Sequence, residues 1–239
     1  CLLEGCSINW GTRNGAAICA GTFRDKIILA CQNRGTTPGV FEYSSKGVLI
    51  REISSDGRGH NIMGDVTAIV GGLKHLACCT NNGTIMITSY SRSTQSNGNG
   101  KGNGQEYCWE NPLFLSSDKR KKSIKCACMF NHANMDILIT ADIIGETRIY
   151  MLDNGLCIRA FHNSNYLYPS KINSIVYNSY RLYFGLNDGT LNVISLYNIL
   201  ENGNINNFNN LESCVLSHDN VFNNYDGISC LATVASNRF

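Results

Sequence analysis

INSIVYNSYRLYFGLNDGTLNVISL, residues 172–196, reads as three short strands at 172–177, 181–186 and 190–196. Asn178-Ser179-Tyr180 separates the first two, and Asn187-Asp188-Gly189 the second two. Asp-Gly between apolar runs is a strong hairpin signal, because a type I′ turn needs positive φ at both central residues. The stretch is therefore expected to form an antiparallel meander with a type I′ turn at Asp188-Gly189.

The same phrase recurs along the chain. Its turn glycines Gly35, Gly83, Gly145 and Gly189 follow one another at 48, 62 and 44 residues. The long interval holds an insert at 91–110 containing SNGNGKGNGQ, and a second, Asn-rich insert lies at 202–210. Without the inserts the period is about 40 to 50 residues, the range of propeller blades. The units are placed at 16–53, 66–116, 124–161 and 172–216, with the start of a further one at 228–239. Fourth strands are expected at 112–116 and near 212–216. A four-stranded antiparallel unit cannot cover both of its faces alone, so such units stack as arrays closed into a ring. Runs that are apolar throughout, such as Ile137-Leu138-Ile139 and Ile27-Ile28-Leu29-Ala30, suit a sheet sandwiched between two others. The expected fold class is all-β, a β-propeller of about four four-stranded antiparallel blades plus partial ones.

Composition narrows the function classes. Twenty basic and 18 acidic residues leave a net charge of +2, which gives no global field for a polyanion, so no nucleic acid is expected as a partner. No apolar run reaches the roughly 18 to 20 residues of a membrane-spanning helix. The chain opens on Cys1 rather than Met and shows no targeting segment, so it is expected to be part of a longer chain or complex. Most of the 12 cysteines, including Cys19, Cys31, Cys78, Cys79, Cys126, Cys128 and Cys230, fall inside apolar runs. There they read as small buried hydrophobes kept reduced, which places the protein in the cytoplasm or the nucleus.

Period, strand order and the motifs at unit ends together resemble the WD40-repeat family. Gly59-His60 stands six residues before Val66, where that family has a Gly-His dipeptide between blades. Ser217-His218 is a degenerate copy, Phe161-His162 a weaker one, and Gly5-Cys6 keeps the position without the histidine. Leu152-Asp153 occupies the Trp-Asp slot, which Tyr43-Ser44, Tyr90-Ser91 and Leu196-Tyr197 fill elsewhere. Asp188 matches the aspartate of the second turn, with Gly189 after it, and Asn82 replaces that aspartate two blades earlier. The resemblance covers nearly the whole chain, and every blade departs from the consensus. It implies a rigid scaffold that binds proteins or peptides, an inference from fold rather than from a site.

Catalytic and metal chemistry lack support. His60, His162 and His218 belong to different units, so they do not converge on an ion and read as structural. Cys126-x-Cys128 and Cys78-Cys79 lack the spacing of a zinc knuckle or a redox motif and read as core. The glycines at 98–104 lack the hydroxyl residue after lysine and the following helix of a phosphate loop. Lys119, Arg120, Lys121 and Lys122 form the one concentrated charge, a candidate partner-docking loop. No serine or cysteine has a base at motif spacing. The reading is a non-catalytic protein-interaction scaffold that needs no metal or cofactor. Its alternatives are a structural propeller of a coat or motor-tail assembly, or an enzyme with its site at the propeller mouth.

Overall fold

A computed structural model describes residues 16–32, 39–53, 64–92, 107–110, 112–116, 122–162, 171–196, 215–220 and 227–232. Two compact units emerge, one of Cys1–Lys121 with Asn131–Asp136, the other of Lys122–Phe130 with Ile137–Phe239.

In the first unit, β1 (Ala16–Phe23), β2 (Lys26–Gln32), β3 (Gly39–Tyr43) and β4 (Leu49–Glu52) form one antiparallel sheet in chain order. The second sheet holds β5 (Val66–Gly71), β6 (His75–Thr80), β7 (Thr84–Arg92), β8 (Tyr107–Trp109) and β9 (Leu113–Ser116). Both β8 and β9 pair with β7: β9 along 84–87, and β8 farther out along 90–92. The stretch 91–110, read from sequence as a low-complexity insert, thus contributes a strand of its own. Its Tyr-Cys-Trp triplet is a short β-prone run that a composition dominated by Gly and Asn conceals.

The third sheet runs β10 (Ile124–His132), β11 (Met135–Asp142), β12 (Glu146–Met151), β13 (Leu156–His162), and the fourth β14 (Ile172–Asn178), β15 (Arg181–Leu186), β16 (Thr190–Ser195), β17 (Val215–Asn220). The tip of the β10–β11 hairpin, Asn131–Asp136, belongs to the first unit. Every described sheet is therefore an antiparallel meander of four strands, with a fifth in the second, and the architecture is the all-β, four-stranded-blade one expected.

The second strands of the second and third sheets are deeply placed. Leu76, Ala77, Cys78 and Cys79 in β6 and Leu138, Ile139 and Ala141 in β11 are fully buried, as befits strands packed on both faces. Between the first two sheets lies a core of Phe23, Ile28, Ala30, Val40, Val66, Ile69, Leu76, Cys78 and Met86. Close approach there requires Gly21 in β1, because a Cβ at that position would sit 2.7 Å from Ile69. In the second unit, Phe130 and Tyr177 stack at 4.2 Å. There Ile228 packs on Gly185, where a Cβ would come within 2.5 Å of it, and its N–H donates to the Leu186 carbonyl at 2.8 Å.

The decisive turn has a different form from the one expected. Gly189 has φ +82°, but Asp188 is not among the positive-φ residues. The Gly189 N–H donates to the Leu186 carbonyl at 3.3 Å, and the Asp188 carboxylate accepts the Thr190 N–H at 3.0 Å. This is a three-residue loop that ends on one left-handed glycine, the arrangement that follows a type I turn. Gly83 and Gly145 repeat it, with φ +81° and +87°. Paired positive φ occurs instead at Ser179-Tyr180 (49° and 61°) and Ala133-Asn134 (48° and 65°). Ser179-Tyr180 is a two-residue loop, because Asn178 pairs directly with Arg181.

Candidate interaction surface

The turns joining the first and second strands present Arg24-Asp25, Leu73-Lys74, Ala133-Asn134 and Ser179-Tyr180 in the four sheets. In the first unit, neighbouring turns are stitched together. Arg24 Nη2 donates to the Leu73 carbonyl at 3.2 Å, and Lys74 Nζ to the Asn134 carbonyl at 3.2 Å.

Asp136, fully buried, fixes that rim from beneath. Its carboxylate accepts backbone N–H groups of Leu73, Lys74 and His75 at 2.8, 2.7 and 2.9 Å. It also faces His75 Nδ1 at 3.0 Å and Asn131 Nδ2 at 3.3 Å. Burial opposes its ionisation, yet the His75 and backbone hydrogen bonds outweigh that and hold the carboxyl well below the usual carboxylate range. Because these donors saturate it, Asp136 acts as a lock rather than as a reactive acid.

Inside the rim lie Phe23, Tyr90 and Trp109. Glu42, only 1% exposed, accepts the Trp109 indole N–H at 2.7 Å and Arg51 Nε at 2.8 Å, both on Oε2. Burial raises the Tyr90 phenol pKa, and the nearby Glu42 charge adds to the rise. Leu73 stands 47% exposed on the rim.

The described residues among those singled out from sequence fall on separate turns and strands. Gly59, His60, Lys119, Arg120 and Lys121 lie outside the described residues. His218 falls within β17, opposite Asn192. Leu152 is buried and Asp153 exposed at the β12–β13 turn. Lys122 is no free docking cation: its ammonium donates to Glu146 at 2.6 Å, and Arg148 Nε takes the other oxygen of Glu146 at 2.8 Å. Burial opposes ionisation of Glu146, but the Lys122 and Arg148 contacts prevail and lower its pKa.

Glu42, Trp109 and Asp136 escaped the sequence reading. Glu42 left one signal, an acid inside the apolar run 40–43. Asp136 opens the apolar run 137–139 and gave none, because its donors come from 61 to 63 residues away. Of the cysteines read as core, Cys31, Cys78, Cys79 and Cys128 are buried and Cys19 and Cys126 half-buried, whereas Cys230 is exposed, against expectation. Burial pushes the Cys31 and Cys126 thiols up to about 11 and about 12. No group of three or more metal-ligating side chains occurs among the described residues. No helix among them is long and apolar enough to cross a membrane.

No protein-family model and no curated protein matches the sequence. Solved structures do match the fold. The β-propeller domain of Cps50 (Swd1) from Myceliophteria thermophila superposes with a TM-score of 0.56 at 13% identity, over 92% of this chain and 60% of that one. Hsv2 from Kluyveromyces lactis gives 0.51 at 16% identity over 79% and 52%. Raptor from Chaetomium thermophilum gives 0.51 at 9% over 74% and 15%. The chain thus spans about half the length of the Hsv2 structure it matches. Four-stranded antiparallel sheets in series and this set of neighbours together show that the chain has the fold of a β-propeller.

Proposed function

We propose that the chain is a non-catalytic protein-interaction module that presents turn side chains on stacked blades to protein or peptide partners in the cytoplasm or nucleus. The observation that carries this is the stitched rim of the first unit, where Leu73 and Lys74 are displayed on a turn held by Asp136 and Arg24 is tied to that turn through the Leu73 carbonyl. A surface already ordered in the free chain loses little entropy on binding. An exposed leucine beside the cations Arg24 and Lys74 has the chemistry of an interface centre. The near-neutral chain favours protein over nucleic acid, and the unpaired thiols of the described residues suit a reducing compartment.

The test is proximity labelling in cells with the wild-type chain, Leu73→Glu and Ile144→Glu. Ile144 is 44% exposed, close to the exposure of Leu73, and lies on a turn at the other end of its strands. The proposal expects a reproducible protein set that Leu73→Glu depletes and Ile144→Glu keeps. The same set from all three chains would overturn it.

A further inference from the structure

Phe23, Tyr90 and Trp109 form a three-ring cluster, with centroids 5.7 Å apart for Phe23–Tyr90, 4.9 Å for Phe23–Trp109 and 4.8 Å for Tyr90–Trp109. Over it lies a cation of the chain itself. The Arg24 guanidinium carbon stands 5.1 Å from the Tyr90 ring centroid and 5.5 Å from that of Phe23. Arg24 is exposed and adopts φ +54°, a region that non-glycine residues enter at a cost.

We propose that this ring cluster is a seat for a guanidinium group, filled by Arg24 in the free chain and taken over by an arginine side chain of a protein partner. Three features select that occupant. Ring faces are electronegative, and a planar, weakly hydrated guanidinium stacks on them where a compact ammonium stays with its water. The buried Glu42 carboxylate, hydrogen-bonded to Trp109 and paired with Arg51, fixes one ring of the cluster. Arg24 is itself a guanidinium stacked there, held from an unfavourable backbone conformation that rearrangement of the turn would relieve. Because the seat is occupied in the free chain, a partner's apparent affinity is reduced by the fraction of chains in which it is open.

The inference rests on the interaction-module reading, and its test can fail separately. N-acetyl-arginine amide is titrated into wild-type and Arg24→Gln chains, with N-acetyl-citrulline amide as the uncharged isostere. The readout is the Trp109 indole N–H resonance, assigned by its loss in Trp109→Phe, since the chain has only 2 tryptophans. A saturable shift is expected in Arg24→Gln at about tenfold lower arginine-probe concentration than in wild type, given two ring contacts to displace, and none with the citrulline probe. No saturable shift in Arg24→Gln, equal responses to the two probes, or identical titrations of the two chains would each overturn the proposal. Any of those results together with Leu73-dependent labelling would remove the guanidinium seat and leave the module reading standing. Loss of the labelling result alone would remove the module reading, and with it the protein partner as occupant, while the seat for a free guanidinium would stand.

Discussion

Replacing Asp136 with alanine strips acceptors from three backbone N–H groups, the His75 ring and the Asn131 amide at once. Hydrogen bonds to a buried charge contribute about 1.5–3 kcal/mol each, but they share one carboxylate and do not add. Removing one partner of a buried charged network costs roughly 3–5 kcal/mol, the figure expected for Asp136→Ala. Asp136→Asn keeps one oxygen and turns an amide toward the remaining donors, so roughly 2 kcal/mol is expected. Urea unfolding of the three chains measures both. The carboxyl titrates lower in the folded chain than in the unfolded one, so its stabilisation is fully present above the unfolded value of about 4. That stabilisation is lost as pH falls through the unfolded value toward the folded one. Wild type should therefore lose stability on acidification more steeply than Asp136→Asn. An Asp136→Ala chain within about 0.5 kcal/mol of wild type, or parallel acid profiles for wild type and Asp136→Asn, would refute the reasoning.

Gly189→Val forces a β-branched residue to φ +82° and should cost on the order of 1–3 kcal/mol; a melting temperature within error of wild type would show that the turn is misassigned. The Thr147 hydroxyl is the one buried side-chain oxygen without a hydrogen bond among the described residues, so Thr147→Val should stabilise by about 1 kcal/mol, read as a higher urea midpoint. A double-mutant cycle on Lys122 and Glu146, whose side chains are 18% and 10% exposed, should give a favourable coupling of about 1 kcal/mol, against near zero if Lys122 belongs to a solvated basic loop.

Much of the fold was legible because it is local. Apolar runs, turn glycines and their spacing specify strands and meanders, and the runs 27–30 and 137–139 read as apolar throughout because they lie in strands packed on both faces. Turn geometry was legible in position but not in kind. Asp188-Gly189 and Ser179-Tyr180 both connect strands, but only the pairing register decides whether two or three residues close the loop. The strand at Tyr107–Trp109 was hidden because its partner, the end of β7, lies across a Gly/Asn stretch. Least legible was the rim. Asp136 meets its donors through a hairpin tip that packs on the second sheet's first turn. Glu42 finds Trp109 67 residues away. Such pairings are long-range and leave no periodicity. At Lys122 the reading went astray for the opposite reason: a lysine at the end of a basic run reads as part of a docking loop, while Lys122 is folded back onto Glu146.

Amide hydrogen exchange on the intact chain tests the blade architecture most directly, because it reports strand order without reference to side chains. The account predicts that amides of 76–79, 138–141 and 182–185, each in the second strand of its sheet, exchange slowest, and that those of the outer strand β4 exchange faster than those of β2. Fast exchange throughout those three segments, with protection concentrated in β4, would contradict the stacked four-stranded sheets on which every other inference about this chain rests.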